Sequence, residues 1–83
     1  MFYVYVLKSG LDGHLYIGYT TYLRKRIRRH QNGEVQSTKS RLPFELIFYE
    51  AYKDNADAKR REKYLKTSKG KSTLRLMLRN SLK

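Results

Sequence analysis

Glu62 stands where an acid is hard to keep. If residues 55–67 form a helix, Ala58, Glu62 and Leu65 share one face, so a carboxylate interrupts an apolar stripe. Desolvating an unpaired carboxylate is costly, which leaves three kinds of partner. They are an arginine such as Arg26, an i,i+4 pair with Lys66, or a bound divalent cation. A structural ion pair and a functional site weigh equally at this point, because both perturb such groups.

The segment LRKRIRRHQ offers a second set of groups. On a wheel of ~100° per residue with Leu23 at zero, Ile27 lies near roughly +40°, His30 near −20° and Arg26 near −60°. Arg26 and His30 are therefore neighbours at the margin of the buried stripe, while Arg24, Lys25, Arg28 and Arg29 point elsewhere. On the helix alone the simpler reading is that Arg26 lays its stem on the core and His30 caps it.

Tyrosine supplies the third set. Of the eight tyrosines, Tyr3, Tyr5, Tyr16 and Tyr19 crowd the first twenty residues. Tyr3 and Tyr5 share one strand face, as do Tyr16 and Gly18. A hairpin closed around Asp12-Gly13 stands Tyr5 beside Tyr16. Buried tyrosines are usually core residues with a satisfied hydroxyl. Gly18 is the odd neighbour, since glycine weakens a strand and often lets a ligand or another backbone approach closely.

The elements that must position these groups follow from patterning. Phe2 to Leu7 is an unbroken apolar run, the mark of a strand buried on both faces. Ser9 to Gly13 carry turn residues, and His14 to Tyr19 form the pairing strand. Thr20 or Thr21 is expected to cap a helix that ends near Asn32-Gly33. Glu34 to Pro43 read as a loop and Phe44 to Tyr52 as a strand. Asp54 or Asn55 caps a helix through about Thr67, Ser68 to Lys71 break the pattern, and Leu74 to Leu78 suggest a short final helix. The order is β-β-α-β-α-α, which a small mixed or antiparallel sheet covered by helices satisfies.

Composition narrows the partners. Eighty-three residues make one domain, expected over 1–83, with a modest core. There is no cysteine, so neither disulfides nor a thiolate zinc site contributes. No stretch approaches the ~20 apolar residues that span a bilayer, so no membrane partner is expected. With no export signal either, the cytoplasm is the default location. Nineteen Lys and Arg against seven Asp and Glu give a formal charge of +12, and no acid follows Glu62. A field of that sign attracts polyanions, and nucleic acid is the favoured partner.

Taken together, these residues resemble the GIY-YIG nuclease superfamily. Tyr3-Val4-Tyr5 matches its first motif, with Tyr3 in place of the usual glycine, and Tyr16-Ile17-Gly18 matches the second to the letter. The arginine and histidine of its helical motif fall on Arg26 and His30, and its metal-binding glutamate falls on Glu62. The match runs nearly the whole length and looks like the small single-domain bacterial members, the UPF0213 group. The superfamily also uses an asparagine in its C-terminal part, for which Asn80 is a candidate.

The resemblance implies an α+β fold, a three-stranded antiparallel sheet flanked by helices, and metal-dependent hydrolysis of a phosphodiester. In it Glu62 would hold one Mg²⁺ or Mn²⁺, with waters and phosphate oxygens completing the coordination. Tyr16 would be general base on the attacking water, and Tyr5 would orient water or phosphate. Arg26 would stabilise charge on the phosphate, and His30 would position Tyr5 or the phosphate. Arg24, Lys25, Arg28, Lys39, Arg41 and the C-terminal lysines are expected to bind backbone phosphates without regard to sequence. DNA is preferred over RNA as the substrate, with structure-selective cutting in repair or processing as the finer expectation. The alternative is a non-catalytic nucleic-acid-binding module that keeps the fold and the charge.

Overall fold

The apolar run near the N-terminus is the middle of a sheet. In the computed structural model, which describes residues 1–83, β1 (Phe2–Ser9) pairs antiparallel with β2 (Leu15–Thr20) on one side and with β3 (Phe44–Tyr52) on the other. The order is β2-β1-β3. A central strand covered on both faces needs side chains that tolerate burial either way, and Val4, Tyr5, Val6 and Leu7 are all buried.

Helices lie on both faces. α1 (Leu23–Gln31) packs Ile27 against Tyr5, Leu7 and Phe44 on one face. α2 (Asn55–Leu65) and α3 (Ser68–Met77) bring Ala58, Leu65, Leu74 and Leu78 against Val4, Val6 and Ile17 on the other. The alternation of β1 thus sends Tyr5 and Leu7 toward α1, and Val4 and Val6 toward α2 and α3. This is the expected α+β arrangement of a three-stranded antiparallel sheet flanked by helices, in the order β-β-α-β-α-α. No helix is long and apolar enough to cross a membrane.

Local chemistry sets most of the boundaries. Gly13 adopts φ +72° in the first turn, where the Ser9 hydroxyl accepts from Leu11 N and Asp12 Oδ1 accepts from His14 N. Gly33, also at φ +72°, ends α1, with its N–H donating to His30 O and the Glu34 N–H to Arg29 O. Asp54 caps α2 by accepting from Ala56 N.

Two boundaries differ from the sequence reading. Neither Thr20 nor Thr21 caps α1; its N-cap is Tyr22, with no side-chain cap, and the Thr20 hydroxyl accepts from Tyr22 N in a turn just before the helix. Ser68 to Lys71 are not a break but the first turn of α3, capped by Thr67, whose hydroxyl accepts from Gly70 N. The glycine that looked like a breaker is there for packing. A Cβ on buried Gly70 would overlap the Tyr64 carbonyl oxygen, so the residue lets α3 press directly on the end of α2.

Gly70→Ala therefore tests the packing. In an unconstrained helix the change is stabilising by up to ~1 kcal/mol, but here overpacking against rigid backbone should destabilise by about 1–3 kcal/mol. A urea midpoint below that of the wild type is the expected result, and an unchanged or higher midpoint contradicts it.

Candidate active site

Tyr5 has no room except across Gly18. The two are directly paired between β1 and β2, and a Cβ at position 18 would overlap the Tyr5 Cζ and Oη. The close approach expected at Gly18 is thus made by a phenol from the neighbouring strand. The Tyr5 ring is fully buried, and its hydroxyl must find partners inside the protein.

α1 provides them. Tyr5 Oη lies 2.8 Å from His30 Nε2, and Arg26 Nε donates to Tyr5 Oη at 3.4 Å. His30 is itself 0 % exposed, and its Nδ1 lies 2.8 Å from the Thr38 hydroxyl, which donates onward to Val35 O at 3.4 Å. Only one assignment gives every proton along this line an acceptor. Because Thr38 gives its proton to Val35 O, it accepts from His30 Nδ1–H. Nε2 is then bare and accepts from the Tyr5 hydroxyl, whose oxygen accepts from Arg26. One line of donors runs from Arg26 through Tyr5, His30 and Thr38 to the Val35 carbonyl.

The charges agree with that direction. Burial, with Arg26 and Arg29 nearby, holds the His30 imidazole neutral, its pKa lowered to about 4. Burial also raises the Tyr5 pKa, against the opposing hydrogen bond from Arg26, so this phenol keeps its proton. His30 is fully buried, with its ring nitrogens at Tyr5 and Thr38. Of the two partners the resemblance left open for His30, Tyr5 is the one its ring reaches.

Tyr16 is the freer phenol. Its ring centroid lies 5.1 Å from His30 and 6.3 Å from Tyr5. It is half-buried, and its hydroxyl lies close enough to Arg26 for its charge and a side-chain hydrogen bond to help raise the guanidinium's pKa after the larger effect of Tyr5. Arg26 is half-buried and forms no ion pair, so its terminal nitrogens remain available. With Thr20, Tyr22, Lys25 and Arg29 it lines an open hollow of about 190 Å³. Two hydroxyls and three cations, of which only Arg29 is paired, with Glu34, suit a phosphate group.

Glu62 comes from the other layer. α2 lies against β1 and β2 on the face opposite α1, and the Glu62 side chain, 17 % exposed, pairs with Lys66 Nζ at 3.1 Å. It makes no hydrogen bond to Tyr5, Tyr16, Arg26 or His30, yet its charge reaches the Tyr5 phenol and is the weakest of the influences raising it. Of the expected set, Tyr5, Tyr16, Arg26 and His30 are brought into contact, and Glu62, on α2, is linked to them only by its charge at Tyr5. No three His, Cys, Asp or Glu side chains cluster to cage a metal. One accessible carboxylate does fit a hydrated Mg²⁺, which takes one or two carboxylates and completes its shell with water and phosphate oxygens.

Among the cations expected to bind phosphates, Arg24, Lys25, Arg28 and Lys39 are exposed, and none is in an ion pair. Arg41 is different. It pairs with Asp12 at 3.3 Å and lies over the Phe44 ring, while its backbone carbonyl accepts from Ser9 Oγ. It fastens the 34–43 loop to the β1–β2 turn and is not a free phosphate ligand. Asn80 is exposed beyond the end of α3, where its carbonyl accepts from Lys83 N. Sequence reasoning missed Thr38, a buried loop hydroxyl that fixes the His30 tautomer; only its place in an otherwise exposed polar loop hints at it.

A pH dependence follows from His30. Its folded pKa of about 4 lies below the ordinary value of 6.5, so the unfolded chain takes up the proton first as pH falls. The stabilisation is complete above pH ~6.5 and is lost on descending to pH ~4, by about 2–3 kcal/mol. Urea titrations at several pH values should show this slope in the wild type and a flatter one in His30→Gln. Identical slopes contradict the assignment.

Comparison with known proteins identifies the family. The family profile described as the GIY-YIG catalytic domain matches residues 1–75. A UPF0213 protein of Clostridium perfringens is 38 % identical over 84 residues, covering 100 % of this chain and 89 % of the relative. A UPF0213 protein of Streptococcus agalactiae is 40 % identical over 65 residues, covering 77 % of this chain and 73 % of the relative. The solution NMR structure of a UPF0213 protein from Bacillus halodurans superimposes with a TM-score of 0.59 at 34 % identity, covering 93 % of this chain and 85 % of that one. The chain belongs to the GIY-YIG family, among its UPF0213 members.

Proposed function

We propose that this protein is a metal-dependent endonuclease that hydrolyses phosphodiester bonds in DNA, acting as one domain over residues 1–83. The observation that carries the reading is the one-way line of hydrogen bonds from Arg26 to Val35. It occupies the buried Tyr5 hydroxyl, holds Arg26 at the wall of a hollow with no acid among its lining residues, and leaves Tyr16 as the half-buried phenol beside Arg26.

In this reading Arg26 binds the scissile phosphate with its terminal nitrogens and stabilises the charge that builds up there. Tyr16, as the phenolate, takes the proton of the attacking water as the oxygen–phosphorus bond forms, and the opposite phosphorus–oxygen bond breaks, its oxygen leaving to take a proton from solvent. Tyr5 holds Arg26 in place, and His30 and Thr38 hold Tyr5. Glu62 would hold one Mg²⁺ or Mn²⁺, which supplies Lewis-acid stabilisation of the phosphate when bound. Lys66, itself 54 % exposed, is a partner that can be exchanged at little cost. Arg24, Lys25, Arg28 and Lys39 hold flanking phosphates and give binding its salt dependence. The family match supports the hydrolytic reading and the field of +12 supports a nucleic-acid substrate.

The Glu62–Lys66 pair favours a second reading, a non-catalytic nucleic-acid-binding module in which that carboxylate is only structural. Cleavage of plasmid, flap, fork and four-way-junction DNA with and without Mg²⁺ separates the two. Glu62→Gln, Tyr16→Phe and Arg26→Ala should each lower Mg²⁺-dependent nicking at least ~100-fold while the urea midpoint stays close to wild type. Salt-sensitive binding with no cutting in Mg²⁺ or Mn²⁺ would support the binding module instead.

A further inference from the structure

The sheet face that carries the cluster is larger than the nine-residue helix covering it. Leu23 and Ile27 cover the part of it that holds Leu7 and Phe44, while half-buried Tyr3 and exposed Tyr49 stand beside the start of α1. Their rings tilt against each other with centroids 6.2 Å apart, and Tyr49 is 52 % exposed. Tyr22, at the N-cap of α1, is 73 % exposed. Together with Arg24, Lys25 and Arg28 these three rings line an open groove of about 670 Å³.

Two features mark its occupant. No carboxylate pairs with any of the three cations, so the groove keeps their full charge. It also adjoins the hollow at Arg26, because Tyr22 and Lys25 line both. Tyr22 and Arg26 are i,i+4 neighbours, about 6 Å apart along the helix axis. Exposed aromatic faces interleaved with cations match a polyanion that shows flat faces of its own. A duplex hides the faces of its bases in the stack, whereas an unpaired strand presents them.

We propose that this groove is a subsite for an unpaired nucleotide of the DNA strand, adjoining the phosphate held at Arg26. Tyr22 and Tyr49 stack on the base, Tyr3 supports Tyr49 from below, and Arg24 and Arg28 hold the flanking phosphates. The proposal rests on the nuclease reading of the Arg26 cluster and specifies its substrate as a strand that is single next to the bond cut.

Binding without divalent metal tests it apart from catalysis. A short labelled single strand, the same strand in duplex, and an abasic strand of equal length are titrated against the whole chain in EDTA. The wild type should hold the single strand more tightly than either comparison. Tyr22→Ala and Tyr49→Ala should each weaken single-strand binding about 5- to 100-fold without altering its salt dependence, and Tyr22→Phe should bind as wild type. Arg24→Ala should instead lower the salt slope by about 0.7. Equal affinity for the abasic strand, or tyrosine variants that bind as wild type, overturns the subsite. Glu62→Gln should keep single-strand binding whether or not it cuts, so a failure of the nuclease reading remains distinguishable.

Discussion

A buried phenol hydroxyl is the constraint on which this molecule is organised. Tyr5 sits at the centre of the central strand with no access to water, and an unpartnered hydroxyl there would be costly. Satisfying it requires α1 to lie at the one angle that brings both Arg26 and His30 to the ring. His30 then needs an acceptor for its second nitrogen, which recruits Thr38 from the loop beyond α1. The ring needs an open place on β2, which excludes a side chain at Gly18. Strand, helix, loop and hairpin are all tied to a single oxygen.

The distribution of acid completes the picture. Five of the seven carboxylates are paired, Asp12 with Arg41, Glu34 with Arg29, Glu50 with Arg61, Asp57 with Arg60 and Glu62 with Lys66. None of these pairs involves Arg24, Lys25, Arg26 or Arg28, so the positive charge of the α1 surface is left uncompensated. Most of the pairs are at the surface and contribute little to stability. Their larger effect is to concentrate the field where the groove and the Arg26 hollow open.

Much of this was legible in the residues. The run Phe2–Leu7 announced a strand buried on both faces, Asp12-Gly13 announced the turn, and β3 begins and ends where its apolar pattern does. Helical spacing placed Arg26 beside His30, and the hairpin placed Tyr5 near Tyr16. What stayed hidden depends on tertiary packing. Periodicity gives Glu62 a face of its helix but does not say which side of the sheet that helix covers. A glycine pattern cannot distinguish a site opened for a ligand from one filled by a neighbouring phenol, as at Gly18, or from a helix contact, as at Gly70. The role of Arg41 depended on where the 34–43 loop folds back, which no local rule specifies.

Helix α1 divides cleanly between two duties. Ile27 and His30 face inward and are fixed by the core, whereas Arg24, Lys25 and Arg28 are exposed and form no ion pair. Substitutions at those outward positions, and at Tyr22, can alter which polyanion is gripped while leaving the melting behaviour almost untouched. Divergence among descendants of such a scaffold is thus free to proceed along one side of a short helix, and laboratory retuning has the same three or four positions to start from.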